Sequence, residues 1–131
     1  MYLQTSNKYN TWRGLSFERL CFAHMRQIQL ALGISGVGTK TYARQTSSAQ
    51  MDMVIDRADD IINLCEMKYT NDAYALPKTE AEKLQKRMNE LSAAKPKKSI
   101  IPVLVTNSSA KHNEYYNRLI YNNITLKQLF A

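Results

Sequence analysis

Asp52, Glu66 and Lys68 interrupt two apolar runs in the stretch 51-MDMVIDRADDIINLCEMKY-69, at positions where a hairpin with one buried face would carry Val or Ile. Burying a carboxylate costs several kcal/mol, about the whole stability of a small domain, unless a cation or hydrogen bonds offset it. Side chains alternate along a strand. Asp52, Val54 and Asp56 therefore share one face, and Ile62, Leu64, Glu66 and Lys68 share a face of the next strand. A short turn through Ala58–Asp60 pairs residues whose numbers sum to 118. It sets Asp52 opposite Glu66, with Lys68 two residues further along the same face. Two carboxylates about 5 Å apart repel unless something positive lies between them. Mg²⁺ meets that need, because it takes oxygen ligands, keeps several waters and usually binds through one or two carboxylates. A neighbouring lysine then orients an activated water or offsets charge developing on a phosphate. The same residues also fit a solvated face on which Lys68 closes a salt bridge.

Such a group needs a sheet to hold it and helices to cover that sheet. From Trp12 to about Leu32, the residues Leu15, Leu20, Phe22, Met25, Ile28 and Leu32 keep helical spacing. Thr11 or Ser16 can cap that helix and Gly33 ends it, which places Glu18 in its opening turns. Residues Gly38 to Gln45 predict a first strand, and 50–56 with 61–69 predict the hairpin. Pro77 suits the first turn of a second helix, Thr79 to about Ala94. Its Ala81, Leu84, Met88 and Leu91 form an apolar stripe against a basic outer face bearing Lys83, Lys86 and Arg87. The run 99-SIIPVLVTN-107 reads as a strand covered on both faces, in which Pro102 requires a position that tolerates its missing N–H. One more strand is expected near Arg118 to Tyr121, and Thr125 is expected to cap a short terminal helix. The result is an α/β chain of order α-β-β-β-α-β with a C-terminal addition: a loose lead-in at 1–11, then one domain at 12–131.

Composition narrows the partners. The 131 residues carry a net charge of +7, and before Asp52 the single acid Glu18 stands against six basic residues. That balance suits a polyanion, since each phosphate contact releases counterions, and it equally suits a basic surface with no specific partner. No run approaches the roughly 18 apolar residues of a membrane span, and the N-terminus lacks a signal-like apolar region, so a cytoplasmic location is expected. Cys21 and Cys65 are too few for a disulfide framework. Cys21 and His24 sit three apart, but zinc needs about four ligands and no second Cys/His pair accompanies them. Tyr69, Tyr74, Tyr115 and Tyr116 offer base-stacking surfaces, although scattered aromatics are more often structural.

A helical Glu, then Asp, then Glu-x-Lys over this element order resembles the PD-(D/E)XK nuclease superfamily, the restriction-endonuclease-like fold. The segments 14-GLSFERLCFAHMRQIQLALGISGV-37 and 50-QMDMVIDRADDIINLCEMKY-69, with the closing ITLKQLF, are similar to the nuclease-like domain that lies C-terminal to the ATPase module in archaeal and bacterial AAA-type ATPases. The resemblance implies a mixed central sheet flanked by helices and Mg²⁺- or Mn²⁺-dependent hydrolysis of DNA phosphodiesters. It implies that Asp52, Glu66 and the backbone carbonyl of Met67 bind the metal, joined by Glu18 from the helix, and that Lys68 serves the attacking water or the pentacovalent phosphate. Gln50 would line the site or lie on the surface. Met51 stands where the family's proline gives the motif its name, and no G-x-x-x-x-G-K-[S/T] ATPase loop occurs; 33-GISGVGTK-40 has the wrong spacing. A non-catalytic module gripping nucleic acid or a partner ATPase is the alternative function.

Overall fold

The computed structural model of the protein describes residues 14, 16–45 and 51–130. The lead-in 1–11, Thr11 and Gln50 lie outside the described residues. Residues 16–23 form helix α1, and α2 spans Met25–Leu32. The single long helix expected from the periodicity is thus divided at His24. The His24 ring nitrogen Nδ1 lies 2.8 Å from the Leu20 carbonyl, and the His24 N–H is shared between the carbonyls of Leu20 and Cys21. This local alternative to the helical ladder turns the backbone without changing the apolar spacing. Gly33 ends α2 in the left-handed region (φ 72°), where a side chain would strain the backbone.

Five strands follow: β1 (Thr39–Gln45), β2 (Met51–Arg57), β3 (Ile61–Lys68), β4 (Ser99–Thr106) and β5 (Asn122–Thr125), lying side by side in that order. β2 runs antiparallel to both of its neighbours, β1 and β3, and β4 and β5 add in parallel. α3 (Lys78–Ala94) supplies the crossover that a parallel β3–β4 pair requires. The chain is therefore α/β, with a mixed five-stranded sheet flanked by helices.

Pro102 lies in β4, yet its carbonyl accepts from the Tyr121 N–H just ahead of the β4–β5 ladder, which begins at Val103 opposite Asn122. Successive residues of a strand address opposite neighbours. The missing N–H of Pro102 consequently falls on the β5 side before that ladder starts, as its tolerance requires. The strand expected near Arg118–Tyr121 is displaced. Helix α4 occupies Glu114–Leu119 and β5 begins at Asn122. Asn113 starts the helix by accepting the Tyr116 N–H at 2.9 Å, and Tyr116 is buried on its inner side. Thr125 caps α5 (Leu126–Leu129) as expected, its N–H donating to Gln128 Oε1.

The alternation of β2 and β3 feeds two cores. Met53, Ile55, Cys65 and Met67 pack with Phe17, Cys21, Ile28 and Leu129 on one side of the sheet. Val54, Ile62 and Leu64 pack with Ala81, Leu84 and Leu91 of α3 on the other. Asp52, Glu66 and Lys68 share the parity of the second set, so they belong to the layer covered by α3. No helix among the described residues is long and apolar enough to cross a membrane.

Candidate functional site

The hairpin register places the charged residues. β2 and β3 pair Met53 with Cys65 and Val54 with Leu64, the register expected from the turn length. Asp52 and Glu66 are the next positions along it, and both side chains are buried, each about 3% exposed. Lys68 follows at the end of β3 with its ammonium 3.5 Å from Glu66 Oε1 and 3.7 Å from Glu80 Oε2.

The cation facing both carboxylates is Arg87. Its Nε lies 2.9 Å from Asp52 Oδ2, and its Nη2 donates to Glu66 Oε1 at 3.1 Å. Arg87 was expected on the basic outer face of α3 and instead turns inward, its side chain 14% exposed. The reason is helical geometry: positions 84, 87 and 91 are neighbours on one face, so Arg87 shares the inner face with Leu84 and Leu91. Glu80, about two turns before Arg87, meets Lys68. Lys83 and Lys86 do lie outward and exposed, with Lys83 reaching Glu80 at 3.7 Å.

The charges are balanced, but the hydrogen bonds are not. Asp52 Oδ2 and Glu66 Oε2 are buried and accept no hydrogen bond among the described residues. Arg87 Nε is likewise without an aligned acceptor, so its close approach to Asp52 is ionic rather than a directed N–H···O bond. Burial pushes the Asp52 carboxyl up to about 6 despite the pull of the Arg87 guanidinium; Glu66 adds to the rise, and Lys68 and Arg44 oppose it. Arg44 of β1, directly opposite Asp52 of β2, also pairs with Glu90 of α3 at 2.5 Å. The Tyr74 hydroxyl is buried without a hydrogen-bond partner, and burial together with the charges of Glu66 and Glu80 raises its pKa.

Sequence reasoning therefore named Asp52, Glu66 and Lys68 and missed the inward role of Arg87, along with Arg44, Glu80 and Tyr74. The 84/87/91 spacing carried the signal for Arg87, and the β1–β2 pairing carried it for Arg44. Glu18 is buried on α1, where its charge acts on the Cys21 thiol. Among the described residues, no group of three or more His, Cys, Asp or Glu side chains that could hold a metal is found. Met67 turns its side chain into the opposite core, so its backbone carbonyl is the atom it could offer as a ligand.

Cys21 and His24 do not form a metal pair. Cys21 is fully buried with its thiol pushed up to about 12 by burial, and His24 is engaged by the Leu20 carbonyl and packs against Phe130. Of the four tyrosines, Tyr74 and Tyr116 are buried and Tyr115 lies under the Arg118 guanidinium. Tyr69, just past Lys68, is 39% exposed and packs edge-on against Phe17.

No protein-family model, curated protein or solved structure matches the chain.

Proposed function

We propose that the chain is a Mg²⁺- or Mn²⁺-dependent nuclease-like domain that hydrolyses DNA phosphodiesters, with a restriction-endonuclease-like core. The observation that carries this reading is the pair of buried carboxylates, Asp52 and Glu66, beside Lys68 at the strand end: Glu66 Oε2 accepts no hydrogen bond, and Asp52 Oδ2 meets only the ionic approach of Arg87. A network built only for stability fills its acceptors, because an unfilled buried carboxylate oxygen is costly. The donor set fits a hard cation that needs one or two carboxylates and completes its shell with water. Further support comes from the element order, with three antiparallel strands, a covering helix and a parallel strand.

Asp52, Glu66 and the Met67 carbonyl would hold the ion. When bound, it supplies Lewis-acid stabilisation and a more acidic water. Lys68 contributes a fixed positive charge beside Glu66, placed to orient a water or to offset charge growing on a phosphate oxygen. Arg87 adds a guanidinium, whose planar fork suits phosphate oxygens. Arg87 also favours a second reading: its contacts with both carboxylates let it serve as a permanent counter-ion in a non-catalytic module that grips DNA or a partner ATPase.

Cleavage of single-stranded, duplex and branched DNA with Mg²⁺ or Mn²⁺ separates the two. The wild type is expected to cleave at least one of these, and Lys68→Ala to lose roughly a hundredfold in rate or more. DNA binding without cleavage in every combination would establish the non-catalytic module instead.

Lys83 and Lys86 are proposed to contact the DNA backbone. Lys83→Gln combined with Lys86→Gln is expected to weaken binding for all sequences and to lower the slope of log K against log salt by about 1 to 2. An unchanged slope would return both to an ordinary solvated helix face.

A further inference from the structure

Within the proposed metal-site reading, on which this inference rests, Arg87 occupies the position between the two carboxylates that a cation would take. We propose that Arg87 is an exchangeable counter-ion: a divalent cation displaces it from Asp52 and Glu66, and the freed guanidinium binds a phosphodiester, so that metal and DNA bind cooperatively.

The first half follows from the contacts. The Arg87 fork holds one oxygen of each carboxylate, at 2.9 and 3.1 Å, and only the Glu66 contact is a directed hydrogen bond. A guanidinium and a divalent ion cannot both fill that space. The hold is therefore strong enough to neutralise the pair yet geometrically incomplete, which favours exchange.

The second half follows from what surrounds Arg87. Its side chain is largely buried where it stands, and a guanidinium that leaves both carboxylates while staying buried needs another anion. Two of the three acids of α3 are already engaged, Glu80 by Lys68 and Lys83 and Glu90 by Arg44, and the third, Glu82, lies on the exposed side of the helix. Neither of the two engaged carboxylates is open to receive it, and we infer that the replacement anion comes from solution. A phosphate oxyanion matches the guanidinium fork bidentately. In a chain of net charge +7, a nucleic-acid backbone is the phosphate source that the charge distribution favours. Linkage then demands reciprocity: DNA tightens the metal by the same factor by which the metal tightens DNA.

The test is Mn²⁺ titration of wild type and Arg87→Gln by electron paramagnetic resonance, alone, with a short DNA duplex, and with inorganic phosphate at matched phosphate concentration. In the wild type, the duplex is expected to tighten Mn²⁺ by about tenfold or more. Arg87→Gln is expected to bind Mn²⁺ more tightly without DNA and to gain nothing from the duplex. Equal Mn²⁺ affinity in the two proteins, with or without duplex, would overturn the exchange while leaving the metal site standing. Tightening by inorganic phosphate but not by duplex would overturn DNA as the source of the anion. Absence of Mn²⁺ binding in both proteins would remove the metal-site reading and this inference together. If the Gln variant fails to fold, the Arg87 Nε–Hε resonance of the wild type, identified by its loss in Arg87→Lys, supplies the readout. It should shift on saturation with diamagnetic Mg²⁺, and an unmoved resonance overturns the proposal.

Discussion

Asp52→Asn is expected to reduce Mg²⁺-dependent DNA cleavage by roughly a hundredfold to a thousandfold while leaving the fold's stability almost unchanged. The first part follows from removing the charge on one of two carboxylates proposed to hold the ion. The second follows from burial. Asp52 is 3% exposed, and its desolvation already opposes ionisation strongly enough to raise its pKa to about 6. An amide of the same shape removes that desolvation cost, while Arg87 keeps its hydrogen bond to Glu66. The two changes offset, so the net shift should stay within about 1 kcal/mol. Cleavage rates on the preferred DNA and a thermal melt of the same preparation measure both. A variant that cleaves as the wild type does would contradict the role given to Asp52. A large loss of stability would recast the carboxylate as structural.

Arg87→Ala is expected to act in the opposite sense, on stability first. It removes the cation that faces both carboxylates and leaves Lys68 and Arg44 as the nearby compensation. Breaking a buried pair from one side costs about 3 kcal/mol or more, because the partner charge stays buried. For a domain of this size, that lowers the melting temperature by about 10 °C. Two additions should restore it. Replacing Asp52 by Asn in the same chain removes one of the stranded charges. Mn²⁺ at a hundred times its dissociation constant supplies about 2.7 kcal/mol by mass action, close to the loss. Melting curves of the single and double variants, with and without Mn²⁺, give all four values. An Arg87→Ala protein as stable as the wild type, and indifferent to metal, would mean that the guanidinium is not what neutralises the pair.

The hairpin was legible in the sequence because its information is local. A short turn fixes the register, and period-two alternation fixes the face. Asp52 and Glu66 therefore come to neighbouring positions on one shared face, as predicted, and the covering by α3 is what the structure adds. Gly33 and Thr125 were legible for the same reason, as each acts within one helical turn. Arg87 was overlooked, because a cationic side chain near two lysines reads as part of a solvated face, although its spacing from Leu84 and Leu91 sets it on the inner one. The packing of α3 across the sheet shows which anions it meets there. His24 was hidden differently: a side chain engaged with a carbonyl four residues back divides a helix without disturbing its apolar spacing. Residues 111–125 contain enough Tyr, Leu and Ile to suit a strand or a helix, and the Asn113 cap decides for the helix over Glu114–Leu119. Glu18 illustrates the remaining gap. Its helix reaches the end of β3 through the contact between Phe17 and Tyr69, yet sequence order does not tell how far a buried carboxylate points across a sheet.

The central claim is that Asp52 and Glu66 form a metal site held in readiness by Arg87. Its most direct test is an anomalous-difference map from crystals of the protein grown or soaked with Mn²⁺. A single Mn²⁺ peak between the two carboxylates, with the Arg87 guanidinium withdrawn from both, is the expected result. Ordered density for Arg87 still bridging Asp52 and Glu66, with no anomalous peak beside them at saturating Mn²⁺, would contradict it.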